Sequence, residues 1–235
     1  MKLRVLGCHG PFPAAGGATS GYLLEHQQSL LLLDCGAGVL GKLLSLCPPE
    51  ALSGVLLSHL HYDHASDLLV MQYYLQLHKA RLTVYVPPED QSPLRALLSA
   101  PEMDVRPYPE ELHIGGLTAA TLPVNHPVPC RALRLTDGEK TLVYTGDTNL
   151  CPALASFAQG VDALLADAAF LEAEWTAQKP HLSAAKAAHL AQEAQAKRLY
   201  LTHLPVGHAP ETLEKEARAI FPQAQAVYPG MEISL

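Results

Sequence analysis

The sequence predicts an α/β protein in which two mixed β-sheets pack face to face and carry helices on their outer faces. Three observations lead there. Strand-length apolar runs bounded by Gly, Pro or polar turns occur in both halves of the chain. Helical runs accompany them in both halves, so neither half is purely β. Hydrophobic residues make up 49% of the chain, enough apolar strand to need burial between two sheets.

The elements follow in order. Residues 1–7 read as a strand, followed by a Gly/Pro-rich turn over 7–17 that holds His9 and Phe12. Strands over 21–25 and 30–34 form a hairpin across His26-Gln27-Gln28-Ser29. Cys35-Gly36-Ala37-Gly38 then turns into a short helix that stops before Pro48-Pro49. Residues 52–58 make a buried strand. A helix over 66–79 presents Leu69, Val70, Tyr73, Tyr74 and Leu77 as its apolar face, with Ser66 as its cap. A strand over 82–86 stops at Pro87-Pro88, and Pro93 opens a helix over 92–99. The proline-rich segment up to Gly116 reads as irregular. Strands over 117–124, 131–136 and 141–145 follow, the last two joined by Asp137-Gly138, a hairpin signal. The tail alternates: strand 161–166, helix 183–196, strand 199–202, helix 211–220 and a short final strand. No repeat or linker divides residues 1–235, which are expected to form one domain.

Composition narrows the function classes. A formal net charge of −7 without any Lys/Arg run argues against a broad electrostatic grip on structured nucleic acid. The amino terminus lacks the apolar core and cleavage site of a signal peptide, and no run approaches a membrane span. Five scattered cysteines without a Cys-x-x-Cys suit a reducing cytoplasm and buried free thiols.

Chemistry concentrates in Ser58-His59-Leu60-His61-Tyr62-Asp63-His64, at the carboxyl end of an apolar strand. Loops at strand ends suit such groups, because the sheet fixes their base and leaves the tips open. Imidazole nitrogen and carboxylate oxygen together select borderline divalent metals. Three later residues share the same context, a polar group ending an apolar strand beside a turn: His126, Asp147 and His203. Seven potential ligands suit two ions better than one, since a catalytic zinc typically keeps three protein ligands and an open position. A carboxylate can bridge two ions, and Asp147 is the candidate. Zn²⁺ is the first expectation; the ligand set also permits Mn²⁺ or Fe.

The pattern His59-x-His61-x-Asp63-His64, with His126, Asp147 and His203, resembles the ligand set of the metallo-β-lactamase fold superfamily. Asp34-Cys35-Gly36 matches that superfamily's early Asp-x-Gly turn, so the resemblance spans nearly the whole chain. It implies an αββα sandwich in which His59, His61 and His126 hold one metal, Asp63, His64 and His203 hold the second, and Asp147 bridges them. Asp34 is expected to hold the metal loop from behind.

The stretch from Asp162 to Phe170, then His181-Leu182-Ser183-Ala184-Ala185, is similar to the ribonuclease Z-like phosphodiesterases. That resemblance puts an acidic residue and a histidine beside the metal pair, here Asp167 and His181. With Asp63 they are the expected catalytic residues. The implied reaction is hydrolysis of a small or cyclic phosphodiester by a hydroxide activated at the metal pair, with His181 acting on developing charge and Asp167 orienting it. Ala166-Asp167 departs from the family's usual His-Glu. Only twenty residues separate His126 from Asp147, leaving no room for the long arm that grips transfer RNA. A small-molecule substrate is therefore expected ahead of tRNA 3′-end cleavage, and the family suggests a homodimer. Thioesterase or lactonase chemistry is the nearest rival; a diiron oxidoreductase or an inert metal-binding protein ranks lower.

Overall fold

The computed structural model describes residues 1–235. The first half contains β1 (Lys2–Gly7), β2 (His9–Gly10), β3 (Gly21–His26), β4 (Ser29–Leu33), α1 (Val39–Leu44), β5 (Gly54–Leu56), α2 (Tyr62–Ala65), α3 (Asp67–His78), β6 (Leu82–Val86), α4 (Pro93–Leu98) and β7 (Met103–Pro107). The second half contains β8 (Leu112–Ile114), β9 (Leu117–Pro123), β10 (Arg131–Thr136), β11 (Thr141–Tyr144), α5 (Pro152–Phe157), β12 (Ala163–Asp167), α6 (Ala184–Glu193), β13 (Leu199–Thr202), β14 (Leu204–Pro205), α7 (Pro210–Arg218), β15 (Ala224–Ala226) and β16 (Glu232–Ser234).

They assemble into two seven-stranded mixed sheets, ordered β16-β1-β3-β4-β5-β6-β7 and β15-β13-β12-β11-β10-β9-β8. The last strand crosses to the first sheet, pairing antiparallel with β1, so the chain ends are stitched together. Strands β2 and β14 form a small third pairing.

The period-2 alternation of strand side chains sorts the leucines into two cores. Leu3 and Val5 of β1, Tyr22 and Leu24 of β3, Leu31 and Leu33 of β4, and Leu56 of β5 join the core that also holds Leu133, Leu142 and Leu165 of the second sheet. The intervening Leu6, Leu23, Leu32 and Val55 turn the other way and pack with Val39, Leu43, Leu68, Met71 and Leu75 of the helices. On the opposite outer face, α6 buries Ala184, Ala187, Ala188 and Ala191. Small side chains let its backbone lie close to β12 and β13.

Three expectations need correction. The helix over 66–79 buries Leu68, Met71 and Leu75, whereas Val70, Tyr73 and Leu77 face solvent. Its rotation is fixed at the first turn: the Asp67 amide donates to the Cys35 carbonyl, and the Asp67 carboxylate accepts from the Leu40 amide at 2.9 Å. Ser66 makes no capping bond, because α2 runs almost directly into α3 and leaves no free helix entry. The segment read as irregular supplies β7 and β8, one edge strand for each sheet. Proline is tolerated at an edge, where one row of amides has no partner, and Pro107 ends β7 accordingly.

Asp162, at the start of β12, joins three segments. It accepts from the Thr141 amide at 2.9 Å, Lys197 at 2.9 Å and Lys140 at 3.2 Å. Burial alone would raise its pKa; the Lys197 bond, the Thr141 amide and Lys140 outweigh burial and hold it at about 2. A lowered folded-state pKa means the stabilisation is complete above the free aspartate value of about 4 and is lost as pH falls through about 2. Asp162→Asn is expected to cost roughly 1–2 kcal/mol in urea unfolding at pH 7. The gap from the parent protein should narrow steadily below pH 4.

Candidate metal centre

The loop after β5 is held from behind by Asp34. This residue sits in the left-handed region, φ 57°, and is fully buried. One carboxylate oxygen accepts from the Ser58 amide at 2.7 Å. The other accepts from the Ser58 hydroxyl at 2.8 Å, the Tyr144 hydroxyl at 2.7 Å and His64 Nδ1 at 2.8 Å. A carboxylate only accepts, so Nδ1 of His64 carries a proton and Nε2 is turned the other way. That Nε2 is buried and makes no hydrogen bond; it lies 3.2 Å from Asp147 and 3.7 Å from Asp63.

Two groups of ligand atoms form there, each with all members within 4.8 Å of one another. The first is His59, His61, His126 and Asp147; the second is Asp63, His64, Asp147 and His203. All seven predicted ligand residues are thus brought together, with Asp147 common to both groups. One Asp147 oxygen lies 3.6 Å from His59, 3.2 Å from His64 and 3.3 Å from His203.

The donor set fits cations. In the first group, His61 Nδ1 stands 3.0 Å from His59 Nε2 and 3.2 Å from His126 Nε2. His126 donates from Nδ1 to the Pro180 carbonyl at 3.2 Å, which leaves its Nε2 as a bare lone pair aimed at this cluster. Burial, aided by His64, pushes His59 well below the ordinary imidazole pKa, lowers His61, and takes His126 down to about 4. Neutral imidazoles with converging lone pairs are the form that binds a metal. In the second group the balance reverses. Burial opposes charge on His64, but Asp147 and Asp34 together raise it well above its ordinary value. Asp147 is held well below the carboxylate range, burial being outweighed by His203, His64 and His59. Positive charge is demanded between these carboxylates.

The third cluster contains the two residues predicted to act on substrate. His181 donates from Nδ1 to Asp167 at 2.8 Å, and its ring stacks on His203 with centroids 4.5 Å apart. Asp167 also accepts from the Thr148 amide at 3.0 Å, while its other oxygen is buried without a hydrogen bond. Burial opposes protonation of His181, but the Asp167 carboxylate and its hydrogen bond raise it to about 9. The Trp175 indole donates to the His181 carbonyl at 3.1 Å, which fixes the backbone of the approach loop.

Several contributors escape sequence reasoning. Tyr144 reads as one more apolar strand residue, yet its hydroxyl reaches Asp34 across the sandwich. Asn149 donates to the Lys179 carbonyl and so ties the loop after Asp147 to the loop before His181. Gly10 faces the His203 ring so closely that a Cβ would lie 2.1 Å from it. The Gly10-Pro11 dipeptide is the one signal that could have marked it. His9, His113 and His208 stay outside the clusters, although His9 and His113 lie in the short strands β2 and β8 rather than in loops: His9 bonds the Ala18 carbonyl, His113 pairs with Glu111, and His208 pairs with Glu174.

Converging imidazoles and carboxylates on the loops of an αββα sandwich define a metallo-hydrolase. The chain belongs to the β-lactamase superfamily, whose domain model matches residues 30–204. It is 36% identical over 229 residues to the "Probable metallo-hydrolase YhfI" of Bacillus subtilis, covering 94% of each chain. The crystal structure of YhfI superposes with a TM-score of 0.94 over 99% of this chain and 98% of that one. A ribonuclease Z of Methanopyrus kandleri is 27% identical over 276 residues, covering 99% of this chain and 97% of the relative. A diphosphatase of the PhnP family shares the fold at a TM-score of 0.78 and 16% identity, over 100% of this chain and 97% of that one.

Two outcomes are expected from variants behind the ligands. Gly10→Ala should displace His203 and weaken metal binding at least tenfold, measured by chelator competition. Asp34→Asn should lower metal affinity 10–100-fold, because an amide in place of the carboxylate weakens the acceptor fixing His64.

Proposed function

We propose that the chain is a phosphodiesterase of small or cyclic phosphodiesters, working with two divalent ions, Zn²⁺ foremost. His59, His61, His126 and Asp147 would hold one ion; Asp63, His64, Asp147 and His203 would hold the other. Bound there, the ions would supply Lewis acidity and lower the pKa of water.

The observation that carries the phosphodiester reading is the Asp167–His181 pair. His181 commits Nδ1 to Asp167 at 2.8 Å, so its remaining ring nitrogen is the one that can donate to an oxygen of the substrate. Its ring, stacked on His203 and with Nδ1 3.8 Å from Asp147, lies beside both groups of ligands. Phosphodiester cleavage expels an alkoxide, which needs a proton as the P–O bond breaks. His181 gives that proton, and Asp167 orients the ring and balances its charge. The Pro180 carbonyl and the His181 carbonyl are both hydrogen-bonded, to His126 and Trp175, which holds the donor in place between turnovers. Similarity to a ribonuclease Z supports the same reaction class. Five free cysteines support a reducing, cytoplasmic setting, and no helix is long and apolar enough to cross a membrane. Residues 1–235 serve as one hydrolase domain.

The test is turnover of bis-p-nitrophenyl phosphate and 2′,3′-cyclic nucleotides by metal-loaded protein, beside thioester, lactone and precursor-tRNA panels. Phosphodiester turnover is expected; activity confined to thioesters or lactones would contradict the reading. His181→Ala should lower kcat about 10²–10⁴-fold on cyclic nucleotides, whose alkoxide must be protonated. The loss should be much smaller on bis-p-nitrophenyl phosphate, whose leaving group departs as a stable anion. Equal losses on both would remove the general-acid role.

A further inference from the structure

A recess of about 240 Å³ opens beside the candidate centre, with His61 in its wall. Its walls are His61, Tyr62, Pro93, Leu94 and Val128, with Asp90 among them. At less than the roughly 300 Å³ of the smallest drug-sized pockets, it has room for one ring system rather than a whole nucleotide. Tyr62 lies between two candidate ligands, His61 and Asp63, yet its side chain is 73% exposed and packs into neither core. Its place at the lip of the centre, rather than exposure alone, makes this ring available to a ligand.

Asp90 is the second feature. It is only 2% exposed. One carboxylate oxygen accepts from the Ser92 amide at 2.8 Å and the Ser92 hydroxyl at 2.7 Å. The other oxygen accepts no hydrogen bond from the protein. The nearest guanidinium, Arg95, is committed to backbone carbonyls, donating to Asp90 itself at 2.8 Å and to Pro87 at 3.3 Å. That free oxygen lines the recess and is an acceptor open to a ligand N–H or O–H. Water reaches this oxygen through the recess, and an N–H carried by a flat group seated between Tyr62, Pro93, Leu94 and Val128 can replace it.

We propose that this recess is a base subsite, holding an aromatic heterocycle with an exocyclic amine: Asp90 accepts from the amine, and Tyr62 covers the ring face. The inference rests on the phosphodiesterase reading, since a base seated here places the attached phosphodiester at His61 and the adjoining ligands. A carboxylate accepts but cannot donate, so the subsite rejects a ring carrying an oxo group at the same position, where two acceptors would face each other. The substrate class becomes a cyclic or small phosphodiester of an adenine- or cytosine-type nucleoside.

Adenosine and inosine monophosphates differ at this one group, amine against oxo, and report the subsite without requiring turnover. Calorimetric titration of the metal-loaded full chain should give adenosine monophosphate at least tenfold tighter binding than inosine monophosphate. Asp90→Asn, which keeps an acceptor for Ser92, should bring the ratio below about threefold or invert it. Tyr62→Ala, at an exposed position that leaves the cores intact, should weaken both nucleotides at least fivefold. Equal affinities in the parent protein, a preference that survives Asp90→Asn, or nucleotide binding untouched by Tyr62→Ala would each overturn the subsite. Amine-selective binding by a protein that cleaves no phosphodiester overturns the phosphodiesterase reading alone. Cyclic phosphodiester turnover without amine selectivity overturns the subsite alone.

Discussion

The carboxylate of Asp34 is the constraint on which the candidate centre depends. It gathers the Ser58 amide and hydroxyl and His64 from the first sheet's loop, and Tyr144 from the second sheet. A buried charge accepting four hydrogen bonds is stabilised where an unpaired one would be strongly unfavourable. The same four bonds fix the register of the two sheets at the metal-bearing edge and select the tautomer of His64. Asp34 needs a left-handed backbone to reach all four partners, a strain that persists because the surrounding contacts leave no alternative. Packing of the leucine cores provides most of the fold's stability, but it is this carboxylate that turns a sandwich edge into a pre-shaped ligand cage.

Charge organisation at the edge has two zones. Around His59, His61 and His126, burial keeps the rings neutral and their lone pairs available. Around Asp63, Asp147 and Asp167, carboxylates dominate, and His64 and His181 are drawn toward the charged form. The gradient runs from a nitrogen-rich group, through the shared Asp147, to the Asp167–His181 pair. An attacking oxygen and a leaving oxygen need opposite treatment, one losing a proton and the other gaining one. In the proposed phosphodiesterase the two treatments would fall at opposite ends of one row of ligands, separated in space but not from the substrate.

Much of this was legible in the sequence, because strand ends carry their side chains to one edge of a sheet regardless of how the strands are ordered. Asp34, the His59–His64 run, His126, Asp147, Asp167 and His203 all end apolar strands, so knowing the strands was enough to know the edge. What could not be read was anything set by rotation or by close approach between elements distant in the chain. The exposed stripe Val70, Tyr73 and Leu77 matches helical periodicity as well as the buried Leu68, Met71 and Leu75 do, and the bonds of Asp67 to Cys35 and Leu40 decide between them. Tyr144 looks apolar until Asp34 lies opposite it, and Gly10 looks like a turn residue until His203 is stacked against it. The β7 and β8 edges hide among prolines for a related reason: an edge strand can be read only once its single neighbour is known.

The most direct test of the two-ion centre is the number and position of bound metals, from elemental analysis of purified protein together with anomalous diffraction from crystals of the loaded chain. Two divalent ions per chain are expected, one among His59, His61, His126 and Asp147 and one among Asp63, His64, Asp147 and His203, both reduced in occupancy by Asp147→Asn. A single ion in the fully loaded protein, or two ions whose occupancy is indifferent to Asp147→Asn, would contradict the two-ion centre.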